Sequence, residues 1–288
     1  MTDAVRAPRG TVQEKPLLVS LLVTLTLSVI FVTFPQIDLA VARLFYVEGH
    51  GFPAAGVTAF NTFRAIGQYV PLTLSIVLLF GLGLKLVYPS RPSLFPPRFM
   101  LYFASLFLLG PALMVNGIFK PLFDRPRPRS VLDFGGTDHF IHAWALGGDY
   151  FDDRSFVSGE AAVVTCLIPL AFFVPIVWRR CVFCLLSAFA ALTALNRIAF
   201  GAHFLSDVLI AAGLMAILSI ALGYLFYGRP GVQSCDVRLE AAMTALGHRL
   251  HNARREAIAR LVTVLTRHLS LSPAMLQAAP EAAAERDG

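Results

Sequence analysis

Residues 208–227 read VLIAAGLMAILSIALGYLFY, twenty in succession without a formal charge. A bilayer core about 30 Å thick is crossed by roughly 20 residues of helix, so this stretch alone predicts a membrane span. Five more uncharged stretches near that length stand upstream: Leu17–Phe34, Ala65–Leu84, Phe99–Phe119, Ala161–Trp178 and Cys181–Asn196. The first follows Lys15, but it is too long for a signal-peptide core and lacks a small-x-small cleavage site, so it counts as a span. The fourth and fifth are separated by Arg179 and Arg180, which predicts a tight helical hairpin. The expected fold is therefore all-α. It is a polytopic membrane protein with six transmembrane helices over 17–228, an N-terminal arm over 1–16 and a tail over 229–288.

Composition excludes the soluble classes. Apolar residues make up 56% of the chain and charged residues 15%, with a mean hydropathy of +0.67. That is too little polar surface to cover a soluble globule. The net charge of +6 does not indicate a nucleic-acid partner, because no basic strip with interleaved aromatics is present. Cys166, Cys181, Cys184 and Cys235 lie in or beside apolar segments or in the tail. Cys181 and Cys184 have C-x-x-C spacing without a second pair or nearby His, so they read as core residues. His139, His142, Asp152 and Asp153 share one loop at spacings that match no ligand motif, and no metal is expected.

With the N-terminus in the cytoplasm, six spans leave Arg6, Arg9, Lys15, Lys85, Arg91, Arg98, Arg179, Arg180 and most of the basic tail on that side. The opposite face keeps Arg43, Arg64, Lys120, Arg125, Arg127, Arg129, Arg154 and Arg197. This asymmetry follows the positive-inside rule and predicts cytoplasmic termini. Five of those eight fall within Lys120–Arg154, a density that topology does not require. From Asp236 to His268, Leu239, Met243, Leu246, Leu250, Ala257, Leu261 and Val264 recur at helical spacing with arginines between them. The tail is expected to be a basic amphipathic helix that contacts the membrane surface or a partner helix.

Three polar islands interrupt the apolar pattern. The first, KPLFDRPRP over 120–128, concentrates cations suited to a phosphoryl group or, alternatively, to lipid headgroups. The second, RSFVSGE over 154–160, enters the fourth span. Free N–H groups there favour an anion, although Ser158 also reads as a plain N-cap with Glu160 complementing the dipole. The third, NRIAFGAHFLSD over 196–207, puts His203 and Asp207 four apart, on one face if a helix begins there. A carboxylate on one ring nitrogen fixes the tautomer and leaves the other free to attack. All three islands emerge on the same side in the expected topology, which suggests a phosphoryl-transfer site.

The pattern Lys120-x6-Arg127-Pro128, Ser158-Gly159 and Arg197-x5-His203-x3-Asp207 resembles the three-part signature of the type 2 phosphatidic acid phosphatase (PAP2) superfamily over roughly 15–228. That family usually has Pro-Ser-Gly-His in its second motif and Ser-Arg at the head of its third. Here Val157-Ser158-Gly159-Glu160 and Asn196-Arg197 stand instead. The Ser-Gly-Glu form is similar to a bacterial branch that includes lipid A phosphatases.

The resemblance implies a multi-pass protein of the bacterial inner membrane that needs no cofactor and removes a phosphate from a membrane lipid at the periplasmic face. His203 would form a phosphohistidine, and Asp207 would orient it. Glu160 would serve as general acid. Lys120, Arg127, Ser158, Gly159 and Arg197 would hold phosphate, with Asp124, Arg125 and Asn196 behind them. Lipid A is the favoured substrate, ahead of undecaprenyl diphosphate and phosphatidylglycerol phosphate. The rival readings are a lipid phosphotransferase and a binder or transporter that performs no turnover.

Overall fold

The structure, a computed structural model, describes residues 15–123, 125–146, 154–228 and 232–270. The apolar stretches fold as helices, and the described residues hold no strand, only the isolated bridges Val47–Gly51 and Val131–Asp138. Helix α1 spans Lys15–Thr33 and stops ahead of Pro35, which disfavours helical geometry in the residue before it. A short α2, Gln36–Arg43, follows that proline. Helix α3 is Thr58–Val87 and α4 is Pro97–Phe107.

The chain continues from α4 into a π-helical stretch, Leu108–Phe119, and a last α-turn, α5, Lys120–Phe123. Pro111 lies inside the wide stretch, and Asn116 Nδ2 donates to its carbonyl at 2.8 Å. Such widened turns often lie at functional sites, and this one delivers Lys120.

Among the described residues, five helical segments are long and apolar enough to cross a membrane: Lys15–Thr33, Thr58–Val87, the run that begins at Pro97, α7 at Ile176–Ala199 and α8 at Leu205–Tyr227. The fourth expected span differs. It is a short helix α6, Gly159–Thr165, followed by a 3₁₀ turn, Ile168–Phe173. Pro169 and Pro175 explain the interruption, since proline removes a donor and crowds the preceding turn. The hairpin bend expected at Arg179–Arg180 is therefore misplaced. The break falls at Val174–Pro175, and both arginines ride within the first turns of α7.

Helix α8 organises the bundle, packing against α1, α2, α4, α6 and the π-helical stretch. Against α1 the approach is close: a Cβ on Gly213 would lie 2.3 Å from Thr24 Oγ1. Many side chains of α1 face outward, Leu18, Leu22, Leu25 and Val29 among them, as befits a helix solvated by acyl chains. Cys166 is buried, whereas Cys181 and Cys184, expected in the core, are exposed on α7.

The described residues of Met1–Phe80 and Phe95–Asp236 form one compact unit, and those of Gly81–Leu94 and Val237–Gly288 form another. The tail helix α9 runs over Val232–Ser270. Within the second unit, Glu240 pairs with the buried Lys85 at 2.6 Å and accepts from Ser93 N and Oγ at 3.0 and 2.6 Å. Lys85 also donates to the carbonyls of Pro89 and Arg91.

Candidate active site

Main-chain hydrogen bonds tie the three polar islands together. Arg129 N donates to Gly201 O at 3.0 Å, Ser155 N to Arg125 O at 2.8 Å, and Ser158 N to Asp207 O at 3.1 Å. Ser155 is the junction, because its hydroxyl also donates to Pro126 O and its own carbonyl accepts from His203. Two aromatic clusters brace this knot. Phe123, Trp144 and Phe156 meet with ring centroids 5.0–5.3 Å apart beside Ser155. Val131, Phe134 and Phe52 pack with Phe204 beside His203. Gly201 makes the turn from α7 to His203 with φ +59°, and a Cβ there would meet the Phe52 ring at 2.3 Å, so the position admits only glycine.

His203 is almost fully buried. Its Nδ1 lies 2.9 Å from Ser155 O and 3.7 Å from Asp207 Oδ2. A carbonyl only accepts, so Nδ1 carries the proton and the lone pair is on Nε2. Asp207, expected to orient the ring, stands within ion-pair range while the main chain takes the closer hydrogen bond. Burial lowers the pKa of His203, the Arg197 and Arg127 cations act in the same direction, and Asp207 opposes them.

Behind Asp207 lies a buried charge cluster. The Arg125 guanidinium donates to Asp207 Oδ1 at 2.5 Å, Asp38 Oδ2 at 2.9 Å, Ser206 Oγ at 2.8 Å and Ile141 O at 2.7 Å. Phe204 covers one face, 4.3 Å from ring centroid to guanidinium carbon. Asp38, from α2, also accepts from Ser206 N and Oγ at 2.8 and 2.6 Å, and Asp207 Oδ2 caps Phe204 N at 2.8 Å. Each of the three guanidinium nitrogens and the Ser206 hydroxyl meets an acceptor, as a buried ionic cluster requires.

In front, a cavity of about 480 Å³ is lined by Lys120, Arg127, Gly159, Glu160, Arg197 and His203, together with Arg64 and Gln68 of α3. The point where a Gly159 side chain would begin is 3.6 Å from Lys120 Nζ. Arg197 is 3% exposed; its Nε forms an ion pair with Glu160 Oε2 at 3.4 Å without a hydrogen bond, and its Nη1 has no hydrogen-bond partner among the described residues. Buried guanidinium donors left in that condition at a cavity wall call for an acceptor from outside the chain. Four cations, a helix start and a free imidazole nitrogen in one cavity suit a phosphoryl group.

Not every expected residue faces this space. Ser158 is fully buried, and its hydroxyl accepts from Ala161 N at 3.3 Å as the N-cap of α6, so it shapes the helix start and does not line the cavity. Asn196 donates to Phe60 O at 3.2 Å and likewise lies outside the lining. Arg125 backs Asp207, whereas Asp124, Asp152 and Asp153 lie outside the described residues. Sequence reasoning missed Asp38, Ser155, Arg64 and Gln68. Arg64 carried a signal, as a cation on the site side of the chain; a main-chain carbonyl carries none.

A family model described as the PAP2 superfamily matches residues 99–230. A lipid A 4'-phosphatase of Rhizobium leguminosarum is 36% identical over 199 residues, covering 63% of this chain and 83% of the relative. Another lipid A 4'-phosphatase, of Francisella tularensis subsp. novicida, is 30% identical over 211 residues, covering 68% and 88%. Among solved structures, a PAP2 type phosphatidylglycerolphosphate phosphatase from Bacillus subtilis superposes with a TM-score of 0.48 at 21% identity, over 74% of this chain and 96% of that one.

Proposed function

The chain belongs to the PAP2 superfamily, and we propose that this membrane lipid phosphatase removes a phosphate group from lipid A through a phosphohistidine on His203. The observation that carries the reading is the buried Arg197 guanidinium, whose Nη1 meets no acceptor among the described residues, beside Lys120, Arg127 and His203. The relatives named lipid A 4'-phosphatase support lipid A, and its 4'-phosphate is the first position to test.

Nε2 of His203 attacks phosphorus while Nδ1–H stays on Ser155 O. The N–P bond forms as the bond to the ester oxygen breaks, and that oxygen leaves with the electron pair and takes a proton. The family pattern puts the acid for this step at Glu160. Asp207, 3.7 Å from the ring, offsets the positive charge of the phosphohistidine. Lys120, Arg127, Arg197 and the Gly159 N–H hold the oxygens, where charge builds in the transition state. Water then cleaves the N–P bond and restores the neutral ring. The positive-inside pattern supports a periplasmic site in the inner membrane with both termini cytoplasmic.

The test measures phosphate release by purified protein from lipid A, undecaprenyl diphosphate and phosphatidylglycerol phosphate. Wild type is expected to favour lipid A and His203→Ala to be inactive. Arg197→Ala should lose about 100- to 1,000-fold in kcat, the usual cost of one such donor. A wild type that binds these lipids and releases nothing defeats the hydrolase reading in favour of a binder. Label passing to a second lipid indicates a transferase.

A further inference from the structure

Glu160 holds the position that the family pattern assigns to an acid, yet its contacts are those of an acceptor. Oε1 receives Arg64 Nε at 3.1 Å, Arg64 Nη2 at 3.0 Å and Gln68 Nε2 at 3.2 Å. Oε2 receives Arg64 Nε at 3.3 Å and lies 3.4 Å from Arg197 Nε. Each carboxyl oxygen thus faces donors, whereas an acid needs an O–H aimed at the ester oxygen. Arg64 and Gln68 stand four apart on α3 and present one face to the cavity. Glu160 occupies the Nε–Nη2 edge of Arg64. The Nη1 donors have no protein partner among the described residues.

We propose that Glu160 is a positioning residue that clamps Arg64 and Arg197 at the cavity wall, and that Arg64 is a further phosphate-binding residue from outside the three motifs. This rests on the hydrolase reading above. The ester oxygen then takes its proton from water, and the hydroxide left behind cleaves the N–P bond. One water is consumed, its proton going to the alcohol and its hydroxide to phosphate. Arg64 and Arg197, held by the same carboxylate, grip the phosphoryl oxygens from two helices, and a fork of donors fixed in advance suits that geometry.

The experiment uses full-length protein and a series of phosphate monoesters with one acyl tail, whose leaving alcohols range from aryl to alkyl. Rates are compared for wild type, Glu160→Gln, Arg64→Ala, Arg64→Lys and the double variant Arg64→Ala/Glu160→Gln. Arg64→Ala and Glu160→Gln should each lower kcat/KM about 100-fold, and the double variant should be little worse than either single one, since both act through one contact. Arg64→Lys should melt like wild type and recover only part of the rate. The dependence of rate on leaving-alcohol acidity should be as steep in Glu160→Gln as in wild type.

A Glu160→Gln variant that fails selectively on alkyl substrates identifies Glu160 as the acid and overturns the proposal, as does wild-type behaviour of Arg64→Ala. If wild type releases no phosphate from any ester, the hydrolase reading fails by itself. The clamp is then judged by calorimetric titration with inorganic phosphate. At least tenfold weaker binding in Arg64→Ala supports it, and unchanged binding refutes it.

Discussion

His203 meets two acceptors of different kinds, a peptide carbonyl at 2.9 Å and a carboxylate at 3.7 Å, and its titration follows from where it lies. Burial holds its pKa below the ordinary 6.5, helped by Arg197 and Arg127 and opposed by Asp207. In the proposed mechanism, attack through Nε2 needs the neutral ring. Because the pKa is lowered, the neutral form persists as pH falls through the range in which a free histidine becomes charged. The acid limb of kcat/KM should therefore lie below pH 6.5, once corrected for the second ionisation of the substrate phosphate at about 6. In Arg197→Gln one depressing cation is gone, so the limb should move to higher pH. A wild-type limb above 6.5, or a shift in the opposite direction, contradicts this account. The cations and the His–Asp pair were legible because their chemistry is carried by side chains at motif spacing. Ser155 was not, because it acts through a main-chain oxygen that any residue supplies. Asp38 was not, because it comes from a helix more than eighty residues before Lys120.

At the scale of helices, five stretches were readable from hydropathy because a run of apolar residues and a long helix coincide there. The fourth is shorter and interrupted: hydropathy averages apolar character and ignores continuity, while Pro169 and Pro175 deprive the backbone of donors. Those prolines were visible, and weighting them would have moved the bend away from Arg179. Helix contacts were less accessible, since an apolar face packs as readily against lipid as against protein. Small residues mark the exceptions. Gly213 lets α8 approach α1 at Thr24, whose hydroxyl is already committed to Ser20 O at 2.7 Å. Gly213→Ala should thus force the helices apart and cost about 1–3 kcal/mol, the usual penalty for overpacking. Thermal unfolding in detergent micelles checks it, with Gly223→Ala as control, because a Cβ there meets nothing within 4 Å. Equal melting of the two variants rejects the close contact.

For the molecule as a whole, the side of the bilayer that each loop occupies is set by charge statistics that no helix packing encodes. Within the main unit the cavity lies where α7 ends and α8 begins. Arg98, paired with Asp236 and stacked 4.9 Å from Tyr227, lies at the start of α4 and the end of α8. These groups mark opposite ends of the bundle, so the inferred topology is open to a labelling test. In a variant without native cysteines, Thr137→Cys should react with a membrane-impermeant maleimide in intact cells whose outer membrane is permeabilised. Arg238→Cys should react only after lysis. The reverse pattern inverts the topology and with it the access of a periplasmic lipid to the site.

The double grip of Arg125 on Asp38 and Asp207 has a practical corollary for grafting. A chimera that takes Lys120 to Asp207 from this chain carries every motif residue, yet leaves one buried guanidinium with half its counter-ions. The transferable catalytic cassette therefore starts upstream of Pro35, and a swap cut closer to the motifs transplants the chemistry without the strut that holds it.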